Sequence, residues 1–113
     1  MADTFERACA VADVPDEGVV AVEVAGVEVA VVKSEGRFFA VRDECSHAQI
    51  ALSEGEVGGC EIECWLHGSR FDLRTGEPTG LPAYEPVPVY PVRLQAGAAG
   101  DDIYVDVKNP LNP

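Results

Sequence analysis

Cys45-Ser46-His47 and Cys64-Trp65-Leu66-His67 are two short boxes with sixteen residues between them. Together they hold both histidines of the chain and two of its four cysteines. Each box offers one thiolate and one imidazole, so the pair supplies two sulfur and two nitrogen ligands. A tetrahedral Zn²⁺ accepts that set, and so does a two-iron, two-sulfide cluster with both thiolates on one iron and both imidazoles on the other. Zinc fingers usually group Cys with Cys and His with His at wider spacings within each pair. Here each box carries one of each type. That order suits a cluster gripped by two facing loops, each reaching both irons.

Two loops can grip a shared group only if rigid elements hold their ends. The hydrophobic pattern supplies strands throughout and predicts an all-β fold of antiparallel sheets. Gly18 to Ala25 alternates Val20, Val22 and Val24 against Ala21 and Glu23. Ala25-Gly26 makes a tight turn into Val27 to Lys33, with Val27, Val29 and Val31 on one face. Ser34-Glu35-Gly36 turns again into Arg37 to Val41, completing a three-strand meander that runs straight into the first box. Gly55-Glu56-Val57-Gly58-Gly59 reads as a turn leading into a strand over Cys60-Glu61-Ile62-Glu63-Cys64, which delivers the second box. Those glycines lack the following Lys-Ser/Thr and the helix of a phosphate cradle, so a hairpin turn is the better reading. Pro86-Val87-Pro88-Val89 alternates as an edge strand does when its proline nitrogens face solvent. The last strand is Asp102 to Val107, and Lys108 to Pro113 is expected to fray. No segment shows sustained helical periodicity. The remaining thiols, Cys9 and Cys60, are expected to be small buried residues on strands.

With these elements in place, the sequence resembles the Rieske-type iron–sulfur proteins, whose paired boxes are C-x-H and C-x-x-H. The likeness continues through Gly68-Ser69-Arg70-Phe71-Asp72, Thr75-Gly76-Glu77, a proline-rich loop and a closing strand, covering residues 4 to 107. It is nearest to the small Rieske ferredoxins that serve bacterial aromatic-ring dioxygenase systems. The resemblance implies a Rieske-like fold with two cluster-binding loops at one end, a domain over residues 1–107 and a C-terminal tail over 108–113. It implies one [2Fe-2S] cluster per chain, with Cys45 and Cys64 on the inner iron and His47 and His67 on the outer one. Around it, Gly68 would permit a close approach or a strained turn, and the Ser69 hydroxyl would bond a bridging sulfide. Backbone N–H groups of both loops would donate to the sulfurs, and a loop from Thr79 through Pro82 would shield the cluster. Three positions depart from high-potential members. Phe71 stands where they carry a tyrosine, and Ile50 and Leu66 stand where they carry a disulfide. Trp65 replaces a frequent proline and reads as a lid. With fewer donors to sulfur, the reduced cluster is less stabilised, so a potential in the lower half of the Rieske range is expected.

The implied function is one-electron transport from a ferredoxin reductase to a terminal oxygenase or another acceptor, through brief contacts. Related readings are a nitrite-reductase small subunit or an accessory to iron–sulfur assembly, and the zinc reading describes an interaction module. Catalysis as an oxygenase is not supported, because a mononuclear iron needs two further histidines and a carboxylate. The chain has 113 residues, with 20 acidic and 8 basic side chains and a net charge of −12. Such a surface repels nucleic acid and anionic membranes and steers toward a basic partner. No apolar stretch approaches a membrane span, and the first residues have no basic-then-apolar pattern, so a cytoplasmic protein is expected. In that reducing compartment the four cysteines are not expected to pair as disulfides.

Overall fold

In the computed structural model, residues 4–45, 50–65, 68–79, 85–98 and 100–112 are described. His47, His67 and Pro82, together with Leu66, lie outside them.

The valine-rich meander forms as its alternation requires. Strand β1 (Glu6–Ala10) precedes it, and β2 (Gly18–Val24), β3 (Val27–Ser34) and β4 (Arg37–Arg42) follow in register from Val24↔Val27 to Ser34↔Arg37. Both connections are two-residue turns with left-handed backbone, Ala25-Gly26 at φ 50° and 80° and Glu35-Gly36 at φ 52° and 75°. Such turns match the twist of the strands they join. Strand β3 is buried on both faces. Val29 and Val31 face one apolar cluster, while Ala30 and Val32 face another. The meander, extended by β8 (Val89–Tyr90), is therefore the middle layer of three.

On one side lies the sheet β1-β10-β9, with β9 Val92–Gly97 and β10 Gly100–Val105. Its core holds Cys9, Val14, Ile103 and Val105. On the other side lies a small sheet of β5 (Glu56–Gly58), β6 (Glu61–Glu63) and β7 (Arg70–Asp72). Its core gathers Leu52, Ile62, Phe71 and Leu73 around Cys45 and Cys64. Burial of each such Leu, Ile or Phe side chain contributes about 1.5–3 kcal/mol, which fixes where the loops must start.

Four readings need correction. The turn expected over residues 55–59 is a strand, β5, and the reversal is the pair Gly59-Cys60 at φ 60° and 59°. Cys60 is buried as expected but sits in that turn rather than on a strand. There its N–H bonds Ser34 Oγ at 3.0 Å and its thiol donates to Glu35 at 3.5 Å. Ser34 is itself buried and donates to Glu17 at 2.8 Å, so the β3–β4 turn is tied to the β5–β6 turn. In the proline segment the burial alternates as read, with Val87 and Val89 inside, but ladder pairing begins only at Val89. The chain end is not frayed through residue 112. Leu111 N–H bonds the Val89 carbonyl at 2.7 Å, and Asn112 bonds Val89 N–H and the Val87 carbonyl at 2.9 and 2.8 Å.

Candidate metal centre

Strand β4 delivers the first box and β6 the second. After β4, the N–H of Asp43 bonds the Glu28 carbonyl on β3 at 3.0 Å, so the chain enters the loop still attached to the middle sheet. The Cys45 N–H then bonds the Ile50 carbonyl at 2.8 Å, five residues on. In the second loop the Cys64 N–H bonds the Ser69 carbonyl at 2.7 Å, again five residues on. Both cysteines thus stand at the pinched base of a six-residue loop, and each histidine falls within the span so closed.

These bonds decide part of the backbone question. The amides of Cys45 and Cys64 close the stems, and Gly68 N–H bonds the Cys64 carbonyl at 3.0 Å. Gly68 has φ +74°, a left-handed backbone that glycine adopts without strain.

Side chains reinforce the stems. Arg70, the first residue of β7, donates from Nε to Glu61 at 2.7 Å, from Nη1 to Glu63 at 3.4 Å and from Nη2 to the Gly58 carbonyl at 3.2 Å. Across the first stem, Asp43 accepts from both the N–H and the hydroxyl of Ser53 at 2.7 Å. Gly55 lies where the stems approach each other, since a Cβ there would overlap the Glu63 carbonyl oxygen next to Cys64. The sequence reading did not find Asp43, Ser53, Gly55 or Arg70. Only the tertiary pairing shows that they face the loops.

Cys45 and Cys64 are 3% and 2% exposed and belong to one buried apolar cluster with Phe71, Leu52 and Ile62. No disulfide joins any of the four cysteines. The two thiols outside the boxes are shifted toward the neutral form. Burial and then Asp13 push Cys9 up, and burial and the hydrogen bond to Glu35 push Cys60 up. Those two are held as inert thiols. Ser69 is buried at 1% exposure, whereas Trp65 is 52% exposed. Residues 77–79 run beside β7 through Phe71↔Pro78 and a Thr79 N–H bond to the Arg70 carbonyl at 2.7 Å. This starts the proline loop beside the second stem, and its remainder through Pro82 lies outside the described residues.

The residues present fit a two-iron cluster. Two thiols from two loops of matched closure lie in one buried apolar cluster, which is the chemistry the sulfur half of such a set requires. Among the described residues no group of three or more His, Cys, Asp or Glu side chains gathers as a metal site, and His47 and His67 lie outside them. No helix among the described residues is long and apolar enough to cross a membrane.

Comparison with known proteins agrees with this geometry. Residues 4–91 match the Rieske [2Fe-2S] domain. The biphenyl dioxygenase ferredoxin subunit of Pseudomonas sp. (strain KKS102) is 39% identical over 104 residues, spanning 91% of this chain and 92% of that one. The ferredoxin of carbazole 1,9a-dioxygenase from Nocardioides aromaticivorans IC177 superposes with a TM-score of 0.85 at 37% identity, covering 94% of this chain and 100% of that one. A ferredoxin solved in complex with the oxygenase of carbazole 1,9a-dioxygenase gives a TM-score of 0.82 at 31% identity, covering 93% and 94%. Matched over most of its length by both sequence and fold, the chain belongs to the family of Rieske [2Fe-2S] proteins.

Proposed function

We propose that this protein is a Rieske-type ferredoxin that takes single electrons from a ferredoxin reductase and passes them to a terminal oxygenase or another acceptor. The observation that carries this reading is the pair of matched stems that bring Cys45 and Cys64 into one buried apolar cluster. Cys45 and Cys64 would hold the inner iron, and His47 and His67 the outer one. The bound cluster supplies reversible one-electron chemistry, with the oxidised site neutral and the reduced site one unit negative.

What the chain contributes is shelter and placement. The apolar packing around Cys45 and Cys64 would keep water from the sulfur side, and the closed stems would limit rearrangement on reduction. Ser69, buried five residues after Cys64, would place its hydroxyl close to the second stem. The solved complex of a related ferredoxin with its oxygenase supports an oxygenase as the acceptor. The net charge of −12 favours brief, salt-sensitive contact with a basic face. We place the protein in the cytoplasm, in keeping with its unpaired thiol chemistry. The working unit is residues 1–107, with 108–113 as a tail fastened to β8.

The test is direct. Anaerobically purified protein should be red-brown, contain iron and acid-labile sulfide in equal amounts, and show a rhombic paramagnetic signal after dithionite. Colourless, zinc-loaded, well-folded protein would refute the assignment. His47→Ala and His67→Ala should each abolish the signal.

A further inference from the structure

Asp43 is a buried carboxylate, 7% exposed, two residues before Cys45. Its backbone is fixed to β3 by the bond to Glu28, and its two oxygens reach across the mouth of the first loop. Oδ1 accepts the Ser53 N–H and Oδ2 accepts the Ser53 hydroxyl, both at 2.7 Å. Burying a carboxylate is costly unless its hydrogen bonds are made, and a core position is filled more cheaply by an apolar residue. Here the bonds join the two ends of a cluster-binding loop. Together with the Cys45–Ile50 bond they cross the stem at two levels.

We propose that Asp43 is a positioning residue for the cluster: its two-pronged hold on Ser53 presets the first loop, and its negative charge opposes the arrival of the electron. This rests on the reading of Cys45 as a ligand. The second loop has its own side-chain brace, Arg70 with Glu61 and Glu63, but that brace is partly exposed and carries both signs of charge. Asp43 is buried and carries one. It therefore affects both the lifetime of the cluster and its redox balance, and the two effects separate by substitution. An asparagine can still accept the Ser53 N–H through its oxygen and donate to the Ser53 hydroxyl through its amide, so Asp43→Asn keeps the brace and removes the charge. Asp43→Ala removes both, while Ser53→Ala removes one prong.

The experiment compares the purified holoproteins. In excess iron chelator, Asp43→Ala should lose its visible absorbance about tenfold faster than wild type, with Ser53→Ala between them and Asp43→Asn close to wild type. At a fixed solution potential, Asp43→Asn should raise the reduced-to-oxidised ratio about threefold or more. Exchange of the Cys45 amide should quicken about tenfold in Asp43→Ala and stay slow in Asp43→Asn. An Asp43→Ala lifetime within about twofold of wild type, or Asp43→Asn losing its cluster as fast as Asp43→Ala, overturns the brace. An unchanged redox ratio in Asp43→Asn overturns the charge effect. Should Asp43→Ala fail to fold, Ser53→Ala decides by the same measure. If the wild type itself binds no iron and sulfide, the ligand assignment fails instead, and amide exchange still reports whether the brace holds the loop.

Discussion

Gly55, just beyond the first loop, and Gly68, inside the second, are glycine for opposite reasons. At Gly68 the backbone is left-handed, so Gly68→Ala should cost about 1 kcal/mol, the ordinary penalty for that conformation. At Gly55 a methyl group would overlap the Glu63 carbonyl, and relief requires moving the strand that ends at Cys64. Gly55→Ala should cost about 3 kcal/mol or more and shorten the lifetime of the cluster, as read by thermal unfolding and by chelator challenge of the holoprotein. Phe71 makes a third case. It is wholly buried in the cluster that contains Cys45 and Cys64, so a tyrosine hydroxyl placed there must find an acceptor inside. Phe71→Tyr should raise the midpoint potential in a redox titration, from a wild-type value expected below about +100 mV. The two boxes were legible because their residue types and spacing are chemical facts of the chain, and the structure brings Cys45 and Cys64 into one buried cluster. Asp43, Ser53 and Arg70 were not, since an aspartate, a serine and an arginine acquire their roles only from what folding sets opposite them.

At the level of elements, the β2–β4 meander was readable nearly to the residue, because alternating valines and left-handed Gly turns act locally. Strands β1, β7 and β9 left no such trace. Glu6–Ala10 is alanine- and charge-rich and becomes a strand only by pairing with β10, some ninety residues away. Three-residue β7 is too short to show a period. The shift of the hairpin to Gly59-Cys60 has a similar cause: three glycines offered several turns, and the pairing of Val57 with Ile62 chose among them. The chain ends are joined by a polar knot. Asp106, 4% exposed, accepts from the Thr4 hydroxyl at 2.6 Å, from Asn109 at 2.8 Å and from the Lys108 N–H at 3.0 Å. Burial pushes this carboxyl up, but the hydrogen bonds outweigh it, and its pKa lies below the ordinary value. A carboxyl depressed in the folded state stabilises fully above its unfolded pKa, near 3.9, and loses that contribution as the pH falls through the folded value. Unfolding midpoints measured across acid pH should fall more steeply below about pH 4 for wild type than for Asp106→Asn.

For the molecule as a whole, the excess of carboxylates is a matter of rate. Electron transfer to a basic partner should slow as salt rises from about 0.01 to 1 M, over which the screening length shrinks from about 30 to 3 Å. Stopped-flow mixing with cytochrome c, a basic one-electron acceptor, measures this, and a flat salt profile would deny the steering role. The stems of both loops close on bonds that belong wholly to the polypeptide, Cys45 to Ile50 and Cys64 to Ser69. The two cysteines thereby hang from different sheets, one following β4 of the middle layer and the other β6 of the small outer one. A substitution that slides one layer against the other should therefore disturb the spacing of the pair without touching either box.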